Sequence, residues 1–194
     1  MQELTRDDLF SLEKYSSKRQ DYRANVFEHK KNRQVALGDH ATLYFEDRMT
    51  IQYQIQEMLR IEKIFEAAGI NEELAAYNPL IPNGQNLKAT FMIEYSDAEE
   101  RQRVLETLGG VEDKVWVQVE GFDKVYAVAD EDMDRNRDEK TSAVHFMRFE
   151  FSDEMIAALK SDKTLSMGID YDGFMQNVSP IKNNAQQALI NDFD

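Results

Sequence analysis

The segment from Phe45 to Phe65 constrains this chain more than any other, because it is the one long run with a clean helical period. Ile51, Ile55, Met58, Glu62 and Phe65 fall on one face, with Leu59 and Ile61 beside them, while Tyr53 and Ile64 make a second apolar side. Gln52, Gln56, Arg60 and Lys63 form a narrow polar stripe, read as the exposed one. A helix apolar around most of its circumference lies inside a domain. Asp47, Gln54 and Glu62 are set near the main apolar face, and Thr50 and Glu57 near the second. Such groups need partners, because burying them unpaired is costly.

The rest of the chain must supply the cover. Its 194 residues suit one domain or at most two small ones, and 42% apolar content suffices for a core. A formal charge of −14 argues against nucleic acid or an anionic membrane as partner, since both are polyanions. One stretch departs from that balance: Lys14, Lys18, Arg19, Arg23, Lys30, Lys31 and Arg33 face only Asp21 and Glu28. It reads either as a solvated helix face or as a docking patch for an acidic partner. With no cysteine the chain has no disulfide, thiolate nucleophile or iron–sulfur ligand. The charged start lacks the apolar core of a signal peptide, and no run is long enough to span a bilayer. The expectation is a soluble cytoplasmic protein.

In order, Thr5 caps a short helix to about Tyr15, and a second helix covers Arg19 to Lys31. A hairpin turns at Gly38-Asp39-His40 and runs into the long helix, whose end is assigned to Gly69. Residues 70–86 are read as loop, with one helical turn near Asn71 to Tyr77. Strands follow at Leu87–Tyr95, Val115–Val119, Val125–Val128, Ala143–Phe151 and Leu165–Tyr171, with capped helices after Ser96-Asp97 and Ser152-Asp153. Met92–Asp97 and Arg148–Asp153 resemble each other as strands entering capped helices. The fold class is α+β, a mostly antiparallel sheet with one long buried central helix and several shorter ones. Residues 1–178 form the domain, and 179–194 a C-terminal helix, with Pro180 at its first position, and an acidic tail.

Candidate chemistry is sparse. Asp130, Asp132, Asp134, Asn136 and Asp138 alternate, but a calcium loop fails at its sixth position, Arg135, and its twelfth, Thr141. His29, His40 and His145 share no metal-ligand spacing, and no phosphate loop or nucleophile elbow is present, so no metal or cofactor is expected. Two sets remain as candidate ligand-binding residues. Gln54, Glu57 and Arg60 lie on the long helix. Lys140, Thr141, Ser142 and His145 supply a cation, two hydroxyls and an imidazole that could grip an anion. For Glu57 the alternative is a buried pair with an arginine; for His145 it is a hydrogen-bonded place in the core.

Val35–Gly38, Phe45–Arg48, Gln52–Arg60, Ala76–Pro82, Lys88–Thr90, Val115–Val119, Ala129–Asp132 and Lys140–Phe146 resemble one uncharacterised prokaryotic family, domain of unknown function 3501. The likeness runs from about Leu4 to about Tyr171. It implies a stand-alone protein with no catalytic residues to carry over. Gene neighbours of the family imply a redox-stress setting, with a rubrerythrin-like or iron–sulfur oxidoreductase as protein partner. Two functions therefore stand side by side: an accessory protein docking on such a partner, and an enzyme or a metal or small-anion binder using a polar cleft at the central helix.

Overall fold

The structure, a computed structural model, describes residues 2–131 and 141–194. The calcium reading, apart from Asp130 and Thr141, and the Lys140 assignment therefore lie outside the described residues. After a 3-10 turn at Arg6–Asp8 comes α1 (Leu12–Lys30), one continuous helix where two were expected. The Ser16-Ser17 pair between the two expected helices is absorbed, because the Ser17 hydroxyl donates to the Lys14 carbonyl inside the helix.

β1 (Gln34–Ala36) and β2 (Ala41–Glu46) form the hairpin, which feeds α2 (Arg48–Glu62). Asp47 caps α2 reciprocally with Thr50: each side chain accepts the other's backbone N–H at 2.9 Å. The helix stops at Lys63, which takes the left-handed conformation at φ 56°. Gly69 instead lies inside α3 (Ala67–Tyr77), where a Cβ would come within 2.7 Å of the Ile64 side chain. Its role is close packing, not termination.

β3 (Asn86–Ile93), α4 (Ala98–Leu105) and β4 (Val115–Val119) follow, then β5 (Val125–Tyr126) and β6 (Val128–Ala129). The chain closes with β7 (Val144–Glu150), α5 (Asp153–Lys160), β8 (Leu165–Ile169), β9 (Gln176–Val178) and α6 (Asn183–Ile190). Lys182, not the residue before Pro180, caps α6. Two antiparallel sheets result, ordered β1-β2-β3-β7-β6 and β5-β4-β8-β9. The two similar units, β3–α4–β4 and β7–α5–β8, each begin in the larger sheet and end in the smaller one. There they pair as β3 with β7 and β4 with β8.

One apolar core joins the inner face of the larger sheet (Leu43, Phe91, Phe149), the smaller sheet (Val117, Met167) and α4–α6. Ile181, Leu189 and Phe193 belong to it, so the C-terminal residues are built into the same core. A second, smaller cluster gathers Ile51, Ile55 and Leu59 of α2 with Leu4, Leu74 and Ile81. Residues of α2 and α3 share a groove with the outer face of the larger sheet.

α2 is covered around most of its circumference, but it is turned relative to expectation. Gln56 is fully buried, whereas Gln54, Ile61 and Glu62 are exposed. The reason is a partner distant in sequence. Phe10 N–H donates to Gln56 Oε1 at 2.6 Å, and Gln56 Nε2 donates back to the Phe10 carbonyl at 3.3 Å. A side-chain amide that matches a backbone donor and acceptor can be buried at little cost.

Candidate functional site

Strand register arranges the outer face of the larger sheet in rows. Glu46, Lys88 and Arg148 lie side by side across β2, β3 and β7, and the next row is Tyr44, Thr90 and Phe146. Above the second row, α2 and Leu80 leave a groove of about 330 Å³, floored by Thr90, Met92, Val144 and Phe146 and roofed by Ile51 and Gln54. Its volume lies at the lower end of small-molecule sites.

Glu46 is fixed at the groove wall, its Oε2 taking the Thr50 hydroxyl at 2.5 Å and its Oε1 the Thr90 hydroxyl at 3.0 Å. Lys30, from the last turn of α1, and Gln54 also line it. Neither side chain has a hydrogen-bond partner among the described residues.

The predicted residues do not meet at one place. Gln54 lies in this groove, as do Val144 and Phe146; His145, between them in the strand, points to the opposite, inner face and is completely buried. Glu57 is held between helices: it accepts from Tyr15 Oη at 2.6 Å, from Arg19 at 2.7 and 2.9 Å, and from Arg60 at 3.3 Å. The Arg19 hydrogen bond, ahead of the others, brings its carboxyl down to about 2.

His145 Nδ1 is 2.6 Å from Asp130 Oδ2, and Nε2 is 3.0 Å from both the Ser142 carbonyl and Thr141 Oγ1. Thr141 also donates to Glu112 at 3.2 Å, and Ser142 Oγ accepts from Val144 N–H. These side chains spend their hydrogen bonds on one another, on backbone and on two carboxylates. Among the described residues no group of three or more His, Cys, Asp or Glu side chains could hold a metal ion.

A fourth cluster had no sequence signal. Buried Arg33 grips Asp192 at 2.5 and 3.1 Å, donates to the carbonyls of Phe45, Glu46 and Ala188, and lies 3.4 Å from Asp47. Asp47 in turn meets His29 Nε2 at 2.5 Å. Burial pushes the Asp192 carboxyl up to about 6 against the pull of Arg33. Burial also acts to raise Asp47, but Arg33, the Thr50 N–H and His29 together leave it below the ordinary carboxylate range. The basic run from Lys14 to Arg33 is thus used internally in part. Arg19 serves Glu57 and Arg33 serves Asp192; Lys14 and Arg23 lie over the rings of Phe10 and Phe27.

The family model described as "Protein of unknown function (DUF3501)" matches residues 3–193. The chain belongs to that family. A crystal structure of a novel protein of unknown function from Burkholderia pseudomallei is 48% identical, covers all of both chains and superposes with a TM-score of 0.94. No curated protein matches. The DUF3501 chain has no helix, among its described residues, long and apolar enough to cross a membrane. Its groove could have been located from sequence only through the period-2 alternation of β3 and β7, which separates Thr90, Met92, Val144 and Phe146 from the core residues between them.

Proposed function

We propose that this protein is a cytoplasmic small-molecule binder whose site is the groove between α2 and the outer face of the larger sheet. The observation that supports this reading is the pairing of an apolar floor with two polar side chains, Lys30 and Gln54, that have no hydrogen-bond partner among the described residues and share the same opening. Pockets of this kind gain affinity from apolar contact and orientation from a few donors. The ligand that fits is a compact apolar body with one carboxylate, its head at Lys30 and its body over Met92, Val144 and Phe146. Octanoate is a suitable probe, followed by amide NMR. The expected result is saturable shifts confined to β3, β7 and the middle of α2, with affinity about tenfold lower in Lys30→Met, equivalent to about 1.4 kcal/mol. Shifts scattered over the surface, or unchanged affinity in Lys30→Met, would overturn the assignment.

A second reading has its own support. Ile61 and Phe65 at the α2–α3 turn are 60% and 74% exposed. Apolar side chains this exposed are a feature of docking surfaces. An oxidoreductase of the rubrerythrin-like or iron–sulfur kind, implied by the family resemblance, is the partner proposed for them. Phe65→Glu should then abolish co-purification with that partner while leaving octanoate binding intact.

A further inference from the structure

Lys88 follows Glu46 and precedes Arg148 across the outer face of the larger sheet, one row away from the groove. It lines a separate cleft of about 520 Å³, with Asn86, Arg148, Glu131 and Glu150 among its walls. Its surroundings are already satisfied. Arg148 is bound by Glu131 at 2.8 Å and by Glu150 at 2.5 Å, Asn86 donates to Glu150 at 2.9 Å, and Glu46 takes two threonine hydroxyls. Lys88 itself is half-buried and has no hydrogen bond or ion pair among the described residues. It is a cationic side chain in a cleft, next to a guanidinium, and among the described residues no carboxylate is within ion-pair distance of it, Glu131 and Glu150 being paired with Arg148.

We propose that Lys88 is a carbonyl-reactive amine and that its cleft takes small neutral aldehydes or ketones as imines. Desolvation first, and the charge of Arg148 second, hold the Lys88 ammonium below the ordinary lysine range, against the weaker pull of Glu131 and Glu150. Burial of this kind is how lysine becomes a nucleophile. An anionic ligand is the poorer fit, because Glu3, Glu131 and Glu150 line the same opening. In the reaction the amine lone pair forms the C–N bond as the carbonyl π pair moves to oxygen. The oxygen then leaves as water, carrying one proton from nitrogen and one from solvent, and a protonated imine remains.

The test is competitive labelling of the whole chain with propanal and cyanoborohydride near neutral pH, read lysine by lysine by peptide mass spectrometry. Lys88 should label severalfold faster than the exposed Lys18 and Lys182, and Lys88→Arg should remove the fast site while leaving the other rates unchanged. With glyoxylate, which carries a carboxylate, the advantage of Lys88 should shrink. Labelling of Lys88 no faster than Lys18 and Lys182 would overturn the proposal, and a larger advantage with glyoxylate would overturn the neutral ligand class.

Discussion

The two faces of β3 and β7 belong to the same strands and have different fates. On the inner face Phe91, His145, Met147 and Phe149 are no more than 3% exposed, because the smaller sheet and α4–α6 close over them. On the outer face Lys88, Thr90, Met92, Phe146 and Arg148 are all half-buried, and they line the groove or the cleft beside it. The strands thus divide their labour: one face supplies stability, and the other presents side chains that the sheet holds in place while water still reaches them. Two phenylalanines of β7 test this division most directly. Phe149→Ala, on the inner face, should cost about 3–5 kcal/mol in a denaturant titration. Phe146→Ala, on the outer face, should cost about 1 kcal/mol and weaken octanoate capture. Equal losses would remove the distinction between the faces.

Charged groups sharpen the same contrast between enclosed and half-open sites. Asp192 is enclosed, and its folded carboxyl sits at about 6, above the ordinary 3.8. A carboxyl raised on folding favours the folded state while protonated, so its contribution is full below about pH 4 and is lost as pH rises through about 6. The shift corresponds to about 3 kcal/mol. Glu57 has the opposite sign: lowered to about 2 from 4.5, its contribution is present above 4.5 and lost as pH falls toward 2. Wild type and Asp192→Asn should therefore diverge between about pH 4 and pH 7, with wild type losing more stability on the way up. Parallel curves would show that Arg33 holds Asp192 ionised throughout.

Sequence pattern made the inner face legible along β3, where Leu87, Ala89, Phe91 and Ile93 alternate with Lys88, Thr90 and Met92. Along β7 burial alternates too, but apolar Val144 and Phe146 lie outside and His145 inside, so pattern alone does not name its inner face. The helix start at Ser152 was legible because the cap accepts a backbone N–H three residues on. The start at Ser96-Asp97-Ala98-Glu99 reads as a capping box on Ser96, but the cap is Asp97, one residue later, accepting from Glu100 N–H. What stayed hidden depends on contacts between distant parts of the chain. Asp192 read as part of an acidic tail and Arg33 as part of a basic run, yet they are 159 residues apart and directly bonded. The orientation of α2 was hidden in the same way. Gln52 and Gln56 look alike in a helical pattern, and only the backbone of Phe10, 46 residues from Gln56, decides which is enclosed. The groove was partly visible through Gln54, but its floor comes from strands 36 and more residues away, which no local period reveals.

The smallest expected effect separates two glutamines of one helix. Gln56 is buried with its amide oxygen and nitrogen committed to Phe10 N–H and C=O, so removing it leaves a half-buried backbone donor and acceptor without their partners just before α1. Each unsatisfied group of this kind costs about 1–3 kcal/mol, less whatever water recovers by reaching the gap. Gln56→Ala should accordingly cost about 1–3 kcal/mol by urea titration. It should also speed amide exchange at Phe10, because that N–H loses its acceptor. Gln54, two residues away, is exposed and makes no hydrogen bond among the described residues, so Gln54→Ala should stay within about 0.5 kcal/mol. Its effect belongs to binding: if the groove is the site, Gln54→Ala lowers octanoate affinity without moving the urea midpoint. Should Gln54→Ala destabilise the fold as much as Gln56→Ala, α2 would be turned the other way in solution, and the groove beneath it would have to be reassigned.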